Sequence, residues 1–318
     1  MMIYAAYILT ASLVVLLSKK ASDYIDLIEK TTKLSGAFLG GILLSAVTSL
    51  PELFTSISAV VLIGKPGLCI GNILGSDIFN LAMLAFLIPF YIKGFSKARL
   101  SEGHNYILYF LIVIYAVMWL NMFGVVRFAI FGINVTTLLI LALYAASVRF
   151  LAAENGEQQQ APDTEATNLS TRQITARFIA ASIGIVLLSI AMTYITDEIA
   201  ARLNLGAGLA GAIFLGVATS LPEVSSTIAL FRIKSYNIAV GNIVGSNIFN
   251  LLVLCIADLI SFGRGVYDFS DPKVVNLLVF GGVATVIFIP ILKSRNSAVK
   301  IACCVIAVAC YVAFLAVK

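Results

Sequence analysis

Two phrases recur in this chain in the same order. AVTSLPE at residues 46–52 is followed by GNILGSDIFN at 71–80, and VATSLPE at 217–223 is followed by GNIVGSNIFN at 241–250. Linked phrases repeated in this way mark a duplicated structural unit, so the two halves must fold alike and complete one another. What surrounds the phrases decides how the copies are oriented. Apolar runs lie at about 4–18, 36–63, 67–92, 105–121, 123–148, 175–195, 206–231, 237–260, 275–292 and 298–317. A helix needs about 20 mostly apolar residues to cross a bilayer. The chain is 60% hydrophobic and only 12% charged, against roughly 25% charged residues in a soluble domain. The reading is an all-α integral membrane fold of ten transmembrane helices. TSLPE falls on the second run of each half, five spans apart, and an odd separation makes the two copies cross in opposite directions. The expected architecture is two inverted five-helix repeats, a plan in which a bound solute sits near the bilayer midplane where the repeats meet.

One polar stretch, Glu154 to Gln173, interrupts the apolar pattern and reads as a flexible connector. It divides the chain into a first repeat at 1–150, a cytoplasmic linker at 151–174 and a second, inverted repeat at 175–318. Lys and Arg collect in cytoplasmic loops. With the N-terminus outside, 15 of the 21 fall in inside connections, which predicts a multi-pass protein of the cell membrane with both termini outside. Lys19 and Lys20 follow the first apolar run, the flank order of an anchor and not of a cleaved signal. His104 is the only histidine and reads as a loop residue, which excludes a histidine-based metal site or triad. Cys69, Cys255, Cys303, Cys304 and Cys310 lie inside apolar runs without metal-ligand spacing and read as packing residues. The formal charge of +5 belongs to the loops and gives no nucleic-acid signal.

Four acidic residues lie within or at the ends of spans: Glu52, Asp77, Glu223 and Asp258. A carboxylate inside a span is costly unless it is paired, hydrated or bound to a metal, so each is a candidate functional group. Helical periodicity puts Thr48, Glu52 and Ser56 on one face, and Thr219, Glu223 and Thr227 on another. Pro51 and Pro222 lack a backbone donor and free the carbonyls of Val47 and Ala218. Lipid tolerates free carbonyls only where they face a cavity or ligand. Asn72, Ser76 and Asn80 are spaced by four, as are Asn242, Ser246 and Asn250. Ser76, Asn80, Ser246 and Asn250 read as ion ligands, whereas Asn72 and Asn242, near the helix starts, suit coordination or capping and packing equally. Asp77, three residues from Asn80, reads as facing a water-filled passage or capping a neighbouring helix, or alternatively as a rim carboxylate at the edge of the site that attracts cations, and Asp258 reads as interfacial. Two carboxylates among amide, hydroxyl and carbonyl oxygens, with no His or Cys, suit a hard cation. One Ca2+, or two or more monovalent cations in its place, would balance the pair, and mutual exclusion between those loads produces antiport.

At these residues the chain resembles the calcium/cation antiporter superfamily, and within it the sodium/calcium exchangers and their prokaryotic relatives. The resemblance rests on both copies of TS-x-PE and of GN-x-x-GS-x-x-x-N and spans essentially the whole chain. It implies that Thr48, Ser49, Glu52, Ser76, Asn80, Thr219, Ser220, Glu223, Ser246 and Asn250 stand at ion-binding positions. It also implies alternating access, with the first and sixth helices sliding against a core of the others. Calcium/proton exchangers of the superfamily usually place their acidic residue after a GN dipeptide, so TSLPE speaks for the sodium-type branch. Three positions depart from the pattern. Asn250 stands where several sodium/calcium exchangers have Asp, Ser45 stands where its repeat mate is Gly216, and Asp77 stands where an amide is usual, matched here by Asn247.

The expected function is exchange of Ca2+ for Na+ across the lipid bilayer, with H+ as the alternative counter-ion at the same two glutamates. The transported ions are the only ligands expected, no cofactor is implied, and a monomer suffices. A channel would need a continuous pore, usually built from symmetric subunits or rings. An enzyme would need a nucleophile or cofactor motif beside the glutamates, and the sequence offers neither.

Overall fold

The computed structural model describes residues 2–32, 48–131, 133–154, 170–261 and 265–317, which are helical almost throughout. The first half holds α1 (Met2–Thr32), α2 (Leu50–Leu62), α3 (Pro66–Leu87, continuing through a tighter turn to Phe95), α4 (Glu102–Met122) and α5 (Val135–Glu154). The second half holds α6 (Thr171–Leu203), α7 (Ala207–Thr219), α8 (Leu221–Arg232), α9 (Tyr236–Ile260), α10 (Pro272–Lys293) and α11 (Ser297–Ala316). Among the described residues seven helices are long and apolar enough to cross a membrane, and α7 with α8, bent by 44° at their junction, form an eighth when taken as one span. Val47, Ser45, the start of the second apolar run and most of the polar connector lie outside the described residues.

Side-chain caps fix where several helices begin. Ser170 and Gln173 form a reciprocal capping box that starts α6 at Thr171, inside the stretch read as linker. Ser101, Asp271 and Asn296 each accept a backbone N–H at the starts of α4, α10 and α11. The fifth apolar run, expected to be helical from 123, is not: Gly124, at φ 84°, follows the end of α4, and β1 (Ala129–Ile130) pairs with β2 (Ile133–Asn134) before α5 begins at Val135. Asn121 Nδ2 donates to Thr136 Oγ1 across this turn at 2.7 Å. Hydrophobicity cannot distinguish a lipid-facing helix from an apolar hairpin, whereas a positive φ at glycine can end the helix.

The first and sixth helices both outrun the apolar segments that announced them, reaching Thr32 and spanning Thr171–Leu203. They pack lengthwise against each other, and Leu17 of α1 lies over Gly184 of α6. Helix length here follows from tertiary pairing, which sustains winding beyond the apolar run. α3 and α9, which carry the GN phrases, are buried at the centre of the molecule. α7 presses against α3 backbone to backbone: a Cβ on Gly75 would stand 2.5 Å from Ala212 Cα, and one on Gly216 would stand 2.8 Å from the Ser76 nitrogen. Small residues permit such close approach in membrane bundles.

This packing corrects one expectation about a polar residue and buries two further charged side chains. His104 is not in a loop: it lies in the first turn of α4 beside Gly241, and its Nε2 meets Asn237 Oδ1 at 2.9 Å. Asp258, near the end of α9, is buried within the protein. It accepts from Thr137 Oγ1 at 2.6 Å, and Thr137 also meets the Tyr267 hydroxyl at 2.9 Å, tying α9 to α5 and to the segment before α10. Lys300, counted among the loop charges, is buried. Its ammonium donates to the Ile291 carbonyl at 2.6 Å and lies 5.1 Å from the Phe95 ring centre. Ile291 is in the last turn of α10, where carbonyls lack helical donors, and the lysine supplies one. The five cysteines are free, and all but the partly exposed Cys303 are buried, as packing residues should be.

Candidate ion-binding site

Both TSLPE phrases break their helices in the same place. Ser49 precedes α2 and Ser220 separates α7 from α8, with Pro51 and Pro222 just inside the new helix, where a missing N–H costs nothing. Glu52 and Glu223 therefore fall in a first helical turn, at the end whose dipole favours an anion. Pro222 cannot donate to the Ala218 carbonyl, but that carbonyl accepts a cap backbone N–H at the end of α7, so it is not left free as the sequence suggested. Each glutamate is met by a serine of the other repeat. Ser49 Oγ donates to Glu223 Oε1 at 3.2 Å, and Ser220 Oγ donates to Glu52 Oε1 at 3.4 Å. Thr48 lies beside Glu223, and Thr219 beside Glu52. Both carboxylates are at most 1% exposed, and the second oxygen of each, Oε2, has no partner.

The GN helices wrap this pair in amides and hydroxyls. Asn72 Nδ2 donates to Thr55 Oγ1 at 2.9 Å, Ser56 Oγ at 3.0 Å and the Glu52 carbonyl at 3.4 Å. Asn242 does the same in its own half, at 3.1 Å to Thr227 Oγ1, 3.0 Å to Ser226 Oγ and 3.2 Å to the Glu223 carbonyl. These two asparagines are clamps that hold the glutamate helices. Ser76 Oγ donates to the Gly216 carbonyl at 3.1 Å, while its mate Ser246 has no partner. Asn80 and Asn250 face each other's helices: Asn80 Nδ2 donates to Asn247 Oδ1, and Asn250 Nδ2 to Asp77 Oδ1, each at 3.0 Å. The stripe thus turns from α2 at Asn72 to α9 at Asn80, because four residues advance a helix by about 400° and shift each ligand about 40° around the axis.

Asp77 takes the alternative of its two readings and lies against the site. It faces no passage and caps no helix: it is 1% exposed, bonded to Asn250, and close enough to Glu52 to feel its charge. Asn247 Nδ2 donates to the Asp77 carbonyl at 3.0 Å. The Tyr115 hydroxyl of α4 stands nearby without a hydrogen-bond partner, over Gly281 of α10. None of the ion pairs among the described residues reaches Glu52, Asp77 or Glu223; those formed are Lys65–Asp197 at 2.5 Å and Arg202–Glu198 at 2.8 Å, both toward the surface.

The profile of the sodium/calcium exchanger proteins matches residues 2–153 and 174–318, nearly the whole chain. The chain belongs to the sodium/calcium exchanger protein family. An uncharacterized membrane protein of Methanocaldococcus jannaschii, MJ0091, is 26% identical over 218 residues, 67% of this chain and 67% of that protein. Two solved structures share the fold. The H+/Ca2+ exchanger CAX superposes with a TM-score of 0.68 at 13% identity, covering 98% of this chain and 87% of CAX. The sodium-calcium exchanger NCX_Mj, soaked with Na+ and Sr2+, superposes with a TM-score of 0.60 at 20% identity, covering 99% of this chain and 98% of NCX_Mj.

In this exchanger family member, every described residue singled out from the sequence as a ligand is buried. Val47 lies outside the described residues. Sequence reading missed four contributors. Asn247 bridges Asn80 to Asp77, Thr55 and Ser226 receive the asparagine clamps, and Tyr115 adds a hydroxyl from a helix with no repeated motif. The signal for Asn247 was present, since it aligns with Asp77 in the repeat; nothing in the local sequence marks Tyr115. Chemically the set offers carboxylate, amide and hydroxyl oxygens, the donor chemistry that hard cations take.

Proposed function

We propose that this chain is a secondary active antiporter that exchanges Ca2+ for Na+ by alternating access. One observation carries the reading: two buried glutamates from opposite halves, each held by the other half's serine, each keep one carboxylate oxygen without a partner. Buried charges are stable only when paired or bound to a metal, and no cationic side chain among the described ion pairs reaches this one. A Ca2+ bridging Glu52 and Glu223 neutralises both, and Na+ ions competing for the same oxygens exclude it. Thr48, Ser49, Thr219, Ser220, Ser76, Asn80, Ser246 and Asn250, with the Val47 and Ala218 carbonyls, complete the ligand set in this reading.

The proposed frame is ten spans in two inverted repeats, 1–150 and 175–318, joined by a cytoplasmic linker at 151–174, with both termini outside and a monomer in the bilayer as the working unit. α1 and α6 are the gate, sliding together over α2 and α7. They meet the core through both apolar and polar contacts: Ala11, Met192 and Ala200 join its apolar cluster, Tyr7 Oη donates to the Phe214 carbonyl at 2.6 Å and Thr193 Oγ1 to the Thr55 carbonyl at 3.5 Å. Fold likeness to CAX makes H+ the competing counter-ion. The test is radioactive Ca2+ uptake into proteoliposomes at clamped voltage, with an outward Na+ gradient or an outward H+ gradient. Uptake driven by Na+ at fixed pH is expected; uptake driven by H+ alone moves the protein to proton coupling, and no uptake with either overturns the reading.

A further inference from the structure

We infer that Asp77, Asn80 and Asn250 form a monovalent-cation subsite beside the two glutamates, in which Asp77 supplies a third negative charge. The inference rests on the exchange reading above and adds a ligand and a cargo to it.

The argument is an inventory of donors and acceptors. An ionised carboxylate and a backbone carbonyl can only accept, so Asn250 must turn its NH2 to Asp77 Oδ1 and Asn247 must turn its NH2 to the Asp77 carbonyl. That fixes Asn247 Oδ1 as the group facing Asn80, which must then present its own NH2. The orientation of three amides follows from one carboxylate. Its consequence is that each amide nitrogen is bonded within the chain of contacts and the atoms left without a partner are oxygens: Asn80 Oδ1, Asn250 Oδ1 and Asp77 Oδ2 are all buried without one. Glu52 Oε2 and Glu223 Oε2 are in the same condition. Against these five acceptors stand two unpartnered hydroxyls, Ser246 and Tyr115, each with a single proton to give. Each amide nitrogen also keeps a second hydrogen, yet no donor among the described residues reaches these five oxygens, and a cation can satisfy several of them at once.

Local charge selects a monovalent ion. The cluster is one carboxylate and two neutral amides, so a single positive charge neutralises it, whereas a divalent ion would leave a net charge in a water-poor core. The sequence places this charge in one half only, since Asn247 stands at the matching position in the other. The subsite is therefore asymmetric, unlike the glutamate pair.

The experiment is equilibrium binding of radioactive Na+ and Ca2+ to the purified full-length protein in detergent, for the wild type, Asp77→Asn and Asn80→Ala. Asp77→Asn keeps the shape and places in α3 the residue its repeat mate already carries. The expected result is one fewer Na+ bound at saturation in Asp77→Asn than in the wild type, and a Na+ competition curve against Ca2+ that is shallower by about one in Hill slope. Asn80→Ala, which keeps the charge and removes one oxygen, is expected to leave the Na+ count and weaken the affinity by about tenfold, or about 1.4 kcal/mol. An unchanged Na+ count in a monodisperse Asp77→Asn protein overturns the subsite, as does release of one proton from Asp77 in place of a bound Na+. A wild type that binds neither ion instead overturns the exchange reading itself, so the two failures are separable.

Discussion

Replacing Glu52 with Gln separates a binding role from a structural one because the two predict opposite signs. The Gln side chain keeps the volume and can still accept from Ser220 Oγ through Oε1, as Glu52 does at 3.4 Å, but it puts an NH2 where the unpartnered Oε2 now points. A unit charge pair about 4 Å apart at an effective dielectric near 20 interacts by about 4 kcal/mol, so a carboxylate and a divalent ion interact by about 8 kcal/mol. If relaxation and water recover half, about 4 kcal/mol remains, close to three decades of Ca2+ affinity. In the ion-free protein the same change removes one of two like charges buried together, which relieves a desolvation cost instead of creating one. Glu52→Gln is therefore expected to unfold at the same or a higher temperature without Ca2+, to lose the rise in unfolding temperature that ligand binding gives the wild type, and to show no Ca2+ exchange in proteoliposomes. Thermal unfolding with and without Ca2+, on the same preparation used for uptake, reads all three. A variant that exchanges at the wild-type rate, or whose ion-free form is strongly destabilised, would refute the reasoning.

Two further outcomes test the frame around the site. Asn72→Ala removes two well-formed bonds to Thr55 and Ser56, worth about 0.6 kcal/mol each in membrane bundles and up to about 1.5 elsewhere; a loss of about 1–3 kcal/mol is expected, with Asn242→Ala matching it because its contacts are the mirror set, and unfolding curves of the pair check this. Gly75→Ala would drive a methyl to 2.5 Å from Ala212 Cα, a backbone atom that cannot swing away, and is expected to cost at least the about 1–3 kcal/mol of ordinary overpacking. Gly282→Ala, whose added methyl meets Tyr115 no closer than 3.6 Å, serves as the mild control in expression yield and unfolding temperature.

Much of the site was legible because repetition and chemistry coincide in it. A glutamate inside an apolar run is costly, and finding it twice beside proline, hydroxyls and a second amide-rich phrase leaves few roles besides holding a cation. The burial of Glu52, Glu223, Ser76, Asn80, Ser246 and Asn250 follows that reading. His104 was misplaced, and the partners of Asp77 and Asp258 were not foreseen, for a common reason: each environment is set by a residue more than 100 positions away in sequence, Asn237 for His104, Asn250 for Asp77 and Thr137 for Asp258.

The division between sequence and tertiary structure follows from the range of the forces. Hydropathy, proline and four-residue spacing are local, and they determined that the chain is helical, that its helices suit lipid, that the two phrases break their helices at the same point, and which oxygens share a face. Which faces meet is not a local property. Only the packing of α3 against α7 and α9 decided that Ser49 bonds to Glu223 and Ser220 to Glu52, that Asn72 and Asn242 clamp the glutamate helices, and that Asp77 joins the centre of the site. In a low-dielectric interior those pairings decide which polar groups are satisfied and which are left waiting for an ion.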